Sequence, residues 1–312
     1  MLAYLLRRLW QMLPTLLGVL LLVFFLFKAF GGDPAEILGG LNASPEQIQQ
    51  IREQLGLNRP LWEQLLIFLE RILRFDWGRS WATQESVASL FATRLPATLT
   101  VMLPILVLDA LLAIPFALAV AAVRGSLTDR AIMVATTVAL SISFLVYVIV
   151  GQWLFAFQLG WFPVQGWSAD LGRNLLTYAP LPILLAVLVG VSPQTRLYRS
   201  FFLDEIGQDY VRTARAKGLT ERAVLLRHVL RNALIPILTN VGVQLPGVFV
   251  GSFLIEVFFS IPGIGREVLL AVNRSDYPVI QAVTVYLAMI TMAVNLLTDL
   301  LYKAADPRVV LR

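Results

Sequence analysis

Six apolar runs, each long enough to cross the hydrocarbon core of a bilayer, constrain this chain more than any other feature. A spanning helix needs about 20 predominantly apolar residues, because lipid offers no partner to a backbone amide or carbonyl and the helix must satisfy them internally. The runs cover 10–30, 97–123, 131–157, 178–191 with an extension toward 202, 233–257 and 279–302. A water-soluble fold that buried them in one core fails on composition. Of 312 residues 58% are hydrophobic and 14% charged, with mean hydropathy +0.74, more apolar surface than a single core can hide. The expected fold class is an all-α integral membrane protein with six transmembrane helices.

Orientation follows from Lys and Arg near the span ends, which favour the cytoplasmic side. Arg7 and Arg8 precede the first span, Arg124 and Arg130 separate the second from the third, a long basic loop separates the fourth from the fifth, and Lys303, Arg308 and Arg312 follow the sixth. Six crossings put all four clusters on one face, so both termini are expected in the cytoplasm. The opposite segments are poorer in charge; 31–95 holds six Arg against eight acids, but long segments cross largely regardless of charge. The first run is read as a retained span. Its apolar part is too long for a signal-peptide core, and no small-residue cleavage pattern precedes Gly31.

Composition also narrows the chemistry. Cysteine is absent and His228 is the sole histidine, which excludes disulfides, thiolate metal sites and Cys nucleophiles and argues against a His-based zinc site. The net charge of +5 comes from clusters beside the spans without interleaved aromatics, a pattern of membrane orientation rather than of nucleic-acid binding.

The chain divides into 1–30, an N-terminal tip and first span; 31–95, an extracytoplasmic helical insertion; and 96–312, a core carrying spans two to six and a cytoplasmic loop at 193–232. In the insertion, Ser44-Pro45-Glu46-Gln47 has the form of a capped helix start, and Gly56 suits a left-handed stop. A second helix is expected from Pro60, with Leu61, Leu65, Phe68, Leu69 and Ile72 on its buried side. Its roughly 14 residues rise about 21 Å, too short to cross. It is expected on the bilayer surface or against the spans, as a spacer or wrap around a neighbour, or as a docking surface for a soluble receptor.

Between Arg196 and Arg231 the loop holds eight basic residues: Arg196, Arg199, Arg212, Arg215, Lys217, Arg222, Arg227 and Arg231. Phe202, Ile206, Tyr210 and Ala214 recur every four positions, which predicts an amphipathic helix over 202–217. Asp204 and Glu205 sit toward its N-terminus and Arg212, Arg215 and Lys217 toward its C-terminus, the order that suits the helix dipole. Gly218 permits a left-handed stop, and Thr220 with Glu221 opens a further helix bearing Val224, Leu225 and Val229. Helix, glycine bend and helix make a knob rather than a tether.

On these residues the chain resembles a known family. Ala214-Arg215-Ala216-Lys217-Gly218-Leu219, followed by His228-Val229-Leu230-Arg231-Asn232-Ala233-Leu234-Ile235-Pro236, is similar to the cytoplasmic loop of binding-protein-dependent ABC importer permeases of the dipeptide/oligopeptide/nickel branch. Tyr4-Leu5-Leu6-Arg7-Arg8-Leu9, Gly32-Asp33-Pro34, Leu55-Gly56-Leu57-Asn58-Arg59-Pro60-Leu61 and Asp76-Trp77-Gly78-Arg79-Ser80 agree. So do Glu256-Val257-Phe258, Pro262-Gly263-Ile264-Gly265, Asp299-Leu300-Leu301-Tyr302 and Asp306-Pro307-Arg308, and the long insertion resembles the B-type permease of the pair. The wider permease signature places Glu-Ala-Ala where Arg212-Thr213-Ala214 stands, and its later Leu-Pro is Leu230-Arg231 here. A salt bridge from that missing Glu is therefore not carried over.

The resemblance implies a type I importer bundle that pairs with a second, homologous permease as a heterodimer, with two cytoplasmic ATPase subunits and with an extracytoplasmic binding protein. ATP and Mg would be handled on the ATPase partners, in keeping with the lack of a GxxxxGK[ST] phosphate loop in this chain. The chain itself would be a transport subunit of the bacterial inner membrane, neither enzyme nor cofactor protein, moving di- or oligopeptides or a related small solute. The expected ATPase contact comprises Asp204, Glu205, Asp209, Tyr210, Arg212, Ala214, Arg215, Lys217, Gly218 and Leu219. Trp161, Phe162, Arg266 and Asp276 are candidates for touching the binding protein by position.

Asp109 lies mid-span, where an ionised carboxylate costs about 2.5 to 3.5 kcal/mol, and is expected to face the bundle or the pore, as a gate residue or a structural acid. Pro104, Pro115, Pro236 and Pro246 are expected to kink their spans. A secondary transporter, the alternative function, would show ionisable residues in several spans, whereas Asp109 is nearly alone at that depth. An intramembrane enzyme would need a catalytic set; without Cys and with the one His placed in a cytoplasmic helix, only Ser/Lys or Asp pairs remain, and no second mid-span Asp accompanies Asp109.

Overall fold

The computed structural model describes residues 2–40 and 43–305, with side chains over 7–40 and 43–298. Arg308, Arg312 and the Asp306-Pro307-Arg308 run lie outside the described residues, as do the side chains of Tyr4, Asp299, Tyr302 and Lys303. Among the described residues the regular structure is helical, with one isolated bridge between Arg79 and Ser86.

Span α1 (Leu2–Phe30) leads into the insertion, built from α2 (Pro34–Gly39), α3 (Pro45–Gln54) and α4 (Leu61–Leu73). The capping box forms as expected: the Gln47 amide donates to the Ser44 hydroxyl and the Ser44 amide to the Gln47 side chain, and Gly56 adopts φ +67°. α4 begins one step later than expected, after Pro60, and none of its residues is fully buried. Phe68 packs on Phe24 of α1 with ring centroids 5.8 Å apart, while Leu61, Trp62, Leu66 and Leu73 are exposed. Leu61 therefore departs from the face assigned to it.

α5 (Val87–Ala122) is the longest helix, about 54 Å at 1.5 Å per residue, and starts inside the stretch assigned to the insertion. Ser86 caps it, and it runs on through Pro96, Pro104 and Pro115. α6 (Leu127–Ser141) and α7 (Phe144–Gly151), the latter prolonged by a π-helical stretch Gln152–Gln158, meet at an 87° bend, so the span expected over 131–157 is sharply bent. Neither proline nor glycine marks that break. Ile142 is extended there, and Tyr147 donates its hydroxyl at 3.0 Å to the carbonyl of Ala139, one of the acceptors that the broken ladder releases.

After the short α8 (Leu171–Arg173) and a π-helical stretch Asn174–Tyr178, α9 (Pro180–Ile206) packs along α5. Surface helix α10 (Asp209–Ala216) and the turn α11 (Glu221–Val224) follow, and a π-helical stretch Leu225–Val229 passes without interruption into α12 (Leu230–Val250). The span expected over 233–257 is interrupted: α12 stops at Gly251, with φ +79°, and α13 (Phe253–Phe258) starts anew. α14 (Ile264–Asn273) and α15 (Tyr277–Ala305) complete the described residues. Five helical stretches are long and apolar enough to cross a membrane, and the bent pair α6–α7 makes a sixth where it counts as one crossing.

Three buried clusters hold these elements together. Ala97, Val101 and Ile105 of α5 pack with Leu181 and Leu185 of α9 and with Phe259 and Ile261. Val87 and Leu90 at the start of α5 pack on Ala271 of α14 and on Val279 and Val283 of α15. Ala113, Ala117 and Ala121 near the other end of α5 meet Tyr198 and Phe202 of α9 and the residues of α10 to α12. α5 thus joins two opposite ends, one carrying the insertion and α14, the other the segment around 207–222.

Candidate functional site

The charged segment was expected to hold one helix over 202–217. The structure divides it: α9 extends to Ile206, Gly207 and Gln208 turn the chain, and α10 is a separate eight-residue helix. Gln208 is extended at φ −75° and ψ 151°, which stops α9 and starts α10. The recurrence that begins at Phe202 and ends at Ala214 still has a physical origin, because these two residues bury in the same cluster from either side of the bend.

Val211 and Ala214 anchor α10 on α5, α9 and α12, and Val224 and Val229 do the same for the following turn. Ala214, assigned to the partner contact by sequence, faces this core, with 4% of its surface exposed; its side chain is an anchor and not a contact. Asp204, Asp209, Arg212, Arg215, Lys217, Gly218 and Leu219 are exposed on the outer side, with Glu205 half-buried beside them. Tyr210 donates its hydroxyl to Glu205, and burial together with that carboxylate pushes the phenol above its usual range. Arg215 grips Glu221 with two hydrogen bonds, one of them 3.0 Å from Nε, so the Glu221 carboxylate holds the guanidinium more firmly charged. This clasp spans the bend at Gly218, whose φ is +80°. Thr220 then caps α11 by accepting the Ala223 amide.

At the opposite end, Trp161 is exposed, Phe162 packs half-buried on the first cluster and Arg266 is half-buried on α14. The loop bearing Trp161 is tied to the turn before α14: Gln152 donates to the carbonyls of Val164 and Phe258 at 3.1 and 3.0 Å. Asp276 corrects its assignment as a surface contact. It is 3% exposed, and its carboxylate accepts the Ser80 hydroxyl and the amides of Trp81 at 3.0 Å and Ala82 at 3.3 Å.

Asp109 faces the bundle, packed on Gly190 of α9 so closely that a Cβ there would lie 2.2 Å from Oδ2. Its Oδ1 meets no hydrogen-bond donor among the described residues. Sequence reasoning missed a second acid. Asp129, at the start of α6, accepts two bonds from Arg199 of α9, at 2.9 and 2.7 Å, and one from the Gly125 amide at 2.9 Å. Its signal in the chain was Ser126 three residues earlier, a helix start with an acid in the first turn, but nothing local names Arg199 as the partner.

Comparison with known proteins bears on the whole arrangement. Residues 113–311 match the family described as binding-protein-dependent transport system inner membrane component, and residues 1–102 match the N-terminal family of the same transport-system membrane components. The chain is 37% identical over 311 residues to a Brucella abortus (strain 2308) protein provisionally named a peptide transport system permease, covering 99% of each. It is 35% identical over 309 residues to the glutathione transport system permease protein GsiC of Salmonella choleraesuis (strain SC-B67), again covering 99% of each. It is 34% identical over 332 residues to the di/tripeptide transport system permease protein DppB of Pseudomonas aeruginosa (strain UCBPP-PA14), with the same coverage. The chain belongs to the inner-membrane permeases of binding-protein-dependent ABC importers, in the peptide-transport branch, and is a multi-pass permease subunit of such a system.

Proposed function

We propose that this subunit pairs with a second, homologous permease to enclose a path for short peptides or a glutathione-like solute, and that the knob at 207–222 is its cytoplasmic seat for an ATPase partner. The observation that carries this reading is the knob itself: charged outward, bent at a left-handed glycine, and anchored by Val211, Ala214, Val224 and Val229 in a core shared with α5, α9 and α12. A partner that moves α10 moves the ends of those spans with it, because interiors packed this densely transmit displacement rather than absorb it. α9 is continuous from the knob to Pro180, so it carries the displacement across the bilayer.

In this reading the insertion and α14 face outward and receive a binding protein that selects the cargo, with Trp161 and Arg266 as contacts. Two ATPase subunits bind ATP and Mg and supply the energy. Their closure biases two arrangements of the path that differ little in free energy. Asp109 acts at the α5–α9 contact, where its fit against Gly190 sets how closely the two helices approach.

The test uses membrane vesicles with the permease pair, the ATPase subunits and the binding protein of the same system. Solute uptake is expected to require ATP and the ATPase subunits and to persist when ion gradients are collapsed. Uptake driven by an ion gradient alone would reject the reading. Ligand screening of the binding protein identifies the cargo.

A further inference from the structure

α14 lies between two buried carboxylates, Glu256 bonded to its first turn and Asp276 three residues past its last, where the Asp276 amide donates to the Ala271 carbonyl. Gly263, at its N-cap position, has no side chain to bond the first amides. Glu256 of α13, 1% exposed, supplies that cap: one oxygen accepts the Arg266 amide at 2.7 Å and the other accepts the Thr98 hydroxyl of α5 at 2.9 Å. Thr98 in turn accepts the Ile264 amide at 2.8 Å, so α5 and the first turn of α14 share one hydrogen-bond relay.

The surrounding chain is cut to fit this acid. A Cβ on Gly251 would stand 2.2 Å from Oε1 of Glu256, and one on Gly263 would stand 2.4 Å from its carboxyl carbon. At the other end, the Asp276 carboxylate takes the Ser80 hydroxyl and the amides of Trp81 and Ala82, which belong to the insertion. Between them Arg94 of α5 reaches Glu267 of α14 at 3.4 Å. Buried carboxylates that accept several N–H and O–H bonds are costly to release, since each freed donor and the charge itself lose their partners.

We infer that Glu256 and Asp276 are positioning residues that make α14 a rigid brace, through which a displacement of the insertion reaches α5 and so the opposite end of the molecule. The part of this inference that concerns receptor docking rests on the proposed function. Links run to both neighbours of α14: Thr98 and Glu256 tie its first turn to α5 and α13, and Asp276, three residues past its last turn, ties that end of the segment to the insertion. Val272 and Asn273 at its C-terminal end, and Arg274 just beyond, lie exposed where a docked protein would press.

The experiment compares wild type, Glu256→Ala, Glu256→Gln and Thr98→Val in the assembled transporter in nanodiscs, by amide hydrogen exchange and by ATP hydrolysis with and without the solute-loaded binding protein. Glu256→Ala is expected to raise exchange at least tenfold at Ile264 and Arg266 and also at Trp81 and Ala82. It should keep basal hydrolysis, bind the binding protein within twofold of wild type, and lose at least tenfold of the stimulation that the binding protein gives. Glu256→Gln retains an acceptor oxygen and should recover more than half of that stimulation. Exchange confined to 264–266, or stimulation within twofold of wild type, would overturn the brace. Should Glu256→Ala fail to assemble, Thr98→Val decides, because it keeps the Glu256–Arg266 bond and removes the hydroxyl that links α5 to Glu256 and to the Ile264 amide: a threefold or larger loss of stimulation supports the inference and an unchanged value overturns it. A wild-type complex that no binding protein stimulates refutes the functional reading instead, and the exchange pattern then decides the brace alone.

Discussion

Asp109 illustrates how one side chain can set the distance between two helices. With Gly190 opposite, α9 approaches α5 until the carboxylate fills the space where a Cβ would stand. Gly190→Ala drives a methyl to within 2.2 Å of Oδ2, and the overlap must be relieved by turning the buried Asp109 carboxylate out of its place or by shifting one of the helices. Overpacking of this kind costs about 1 to 3 kcal/mol. The single change is expected to lower the thermal midpoint of the detergent-solubilised transporter and to slow uptake. Pairing it with Asp109→Ala should return the midpoint to that of Asp109→Ala alone, since the clash then has no second party. Equal and additive losses in the two single variants would show that the residues do not meet. Asp109→Asn, close in volume, should leave the spacing intact; a loss of uptake in that variant without loss of assembly would assign the role to the acid's proton or charge rather than to its size.

At the scale of elements the informative unit is α10 with its glycine bend. Gly218 has φ +80°, and a Cβ added there would meet nothing within 4 Å, so a substitution is penalised by backbone conformation alone. An L-residue forced into the left-handed region costs about 1 to 2 kcal/mol, more when branched at Cβ, whereas Asn tolerates it. Gly218→Val should therefore open the bend, break the Arg215–Glu221 clasp and uncouple ATP hydrolysis from uptake by at least fivefold with normal membrane insertion. Gly218→Asn should stay coupled, and unchanged coupling in the Val variant would remove the bend from the mechanism. Much of this element was legible in the sequence, because Gly218 and the Thr220 cap are local signals and the six apolar runs are compositional. The break after Ile206 was not, since the apolar spacing continues through it and Gly207 has an ordinary negative φ of −75°. Nor was the bend at Ile142, which lacks proline and glycine. The buried acids were illegible for a different reason: Glu256 finds Thr98 at a separation of 158 residues and Asp129 finds Arg199 at 70, distances at which no local pattern operates. Asp276 likewise read as a surface group, because its partners Ser80, Trp81 and Ala82 lie 194 to 196 residues away.

The whole molecule is organised by two helices that are longer than the layer they cross. α5, with 36 residues, and α9, with 27, extend about 54 and 40 Å against a hydrocarbon core of about 30 Å. Their surplus length places the insertion and α14 beyond one face of the membrane and the knob beyond the other, which gives two separate soluble surfaces joined by continuous helix. The absence of cysteine makes this arrangement directly measurable, because a single introduced thiol is the only one the chain carries. Lys217→Cys and Asn273→Cys both place that thiol on an exposed residue, one at each end. In intact cells a membrane-impermeant maleimide is expected to label Asn273→Cys from outside and to label Lys217→Cys only after the membrane is opened. Labelling of both from the same side would contradict the two-ended bundle itself. Labelling with the sides exchanged would leave the bundle standing and remove the ATPase seat from 207–222, because a nucleotide-driven partner works only from the compartment that supplies ATP.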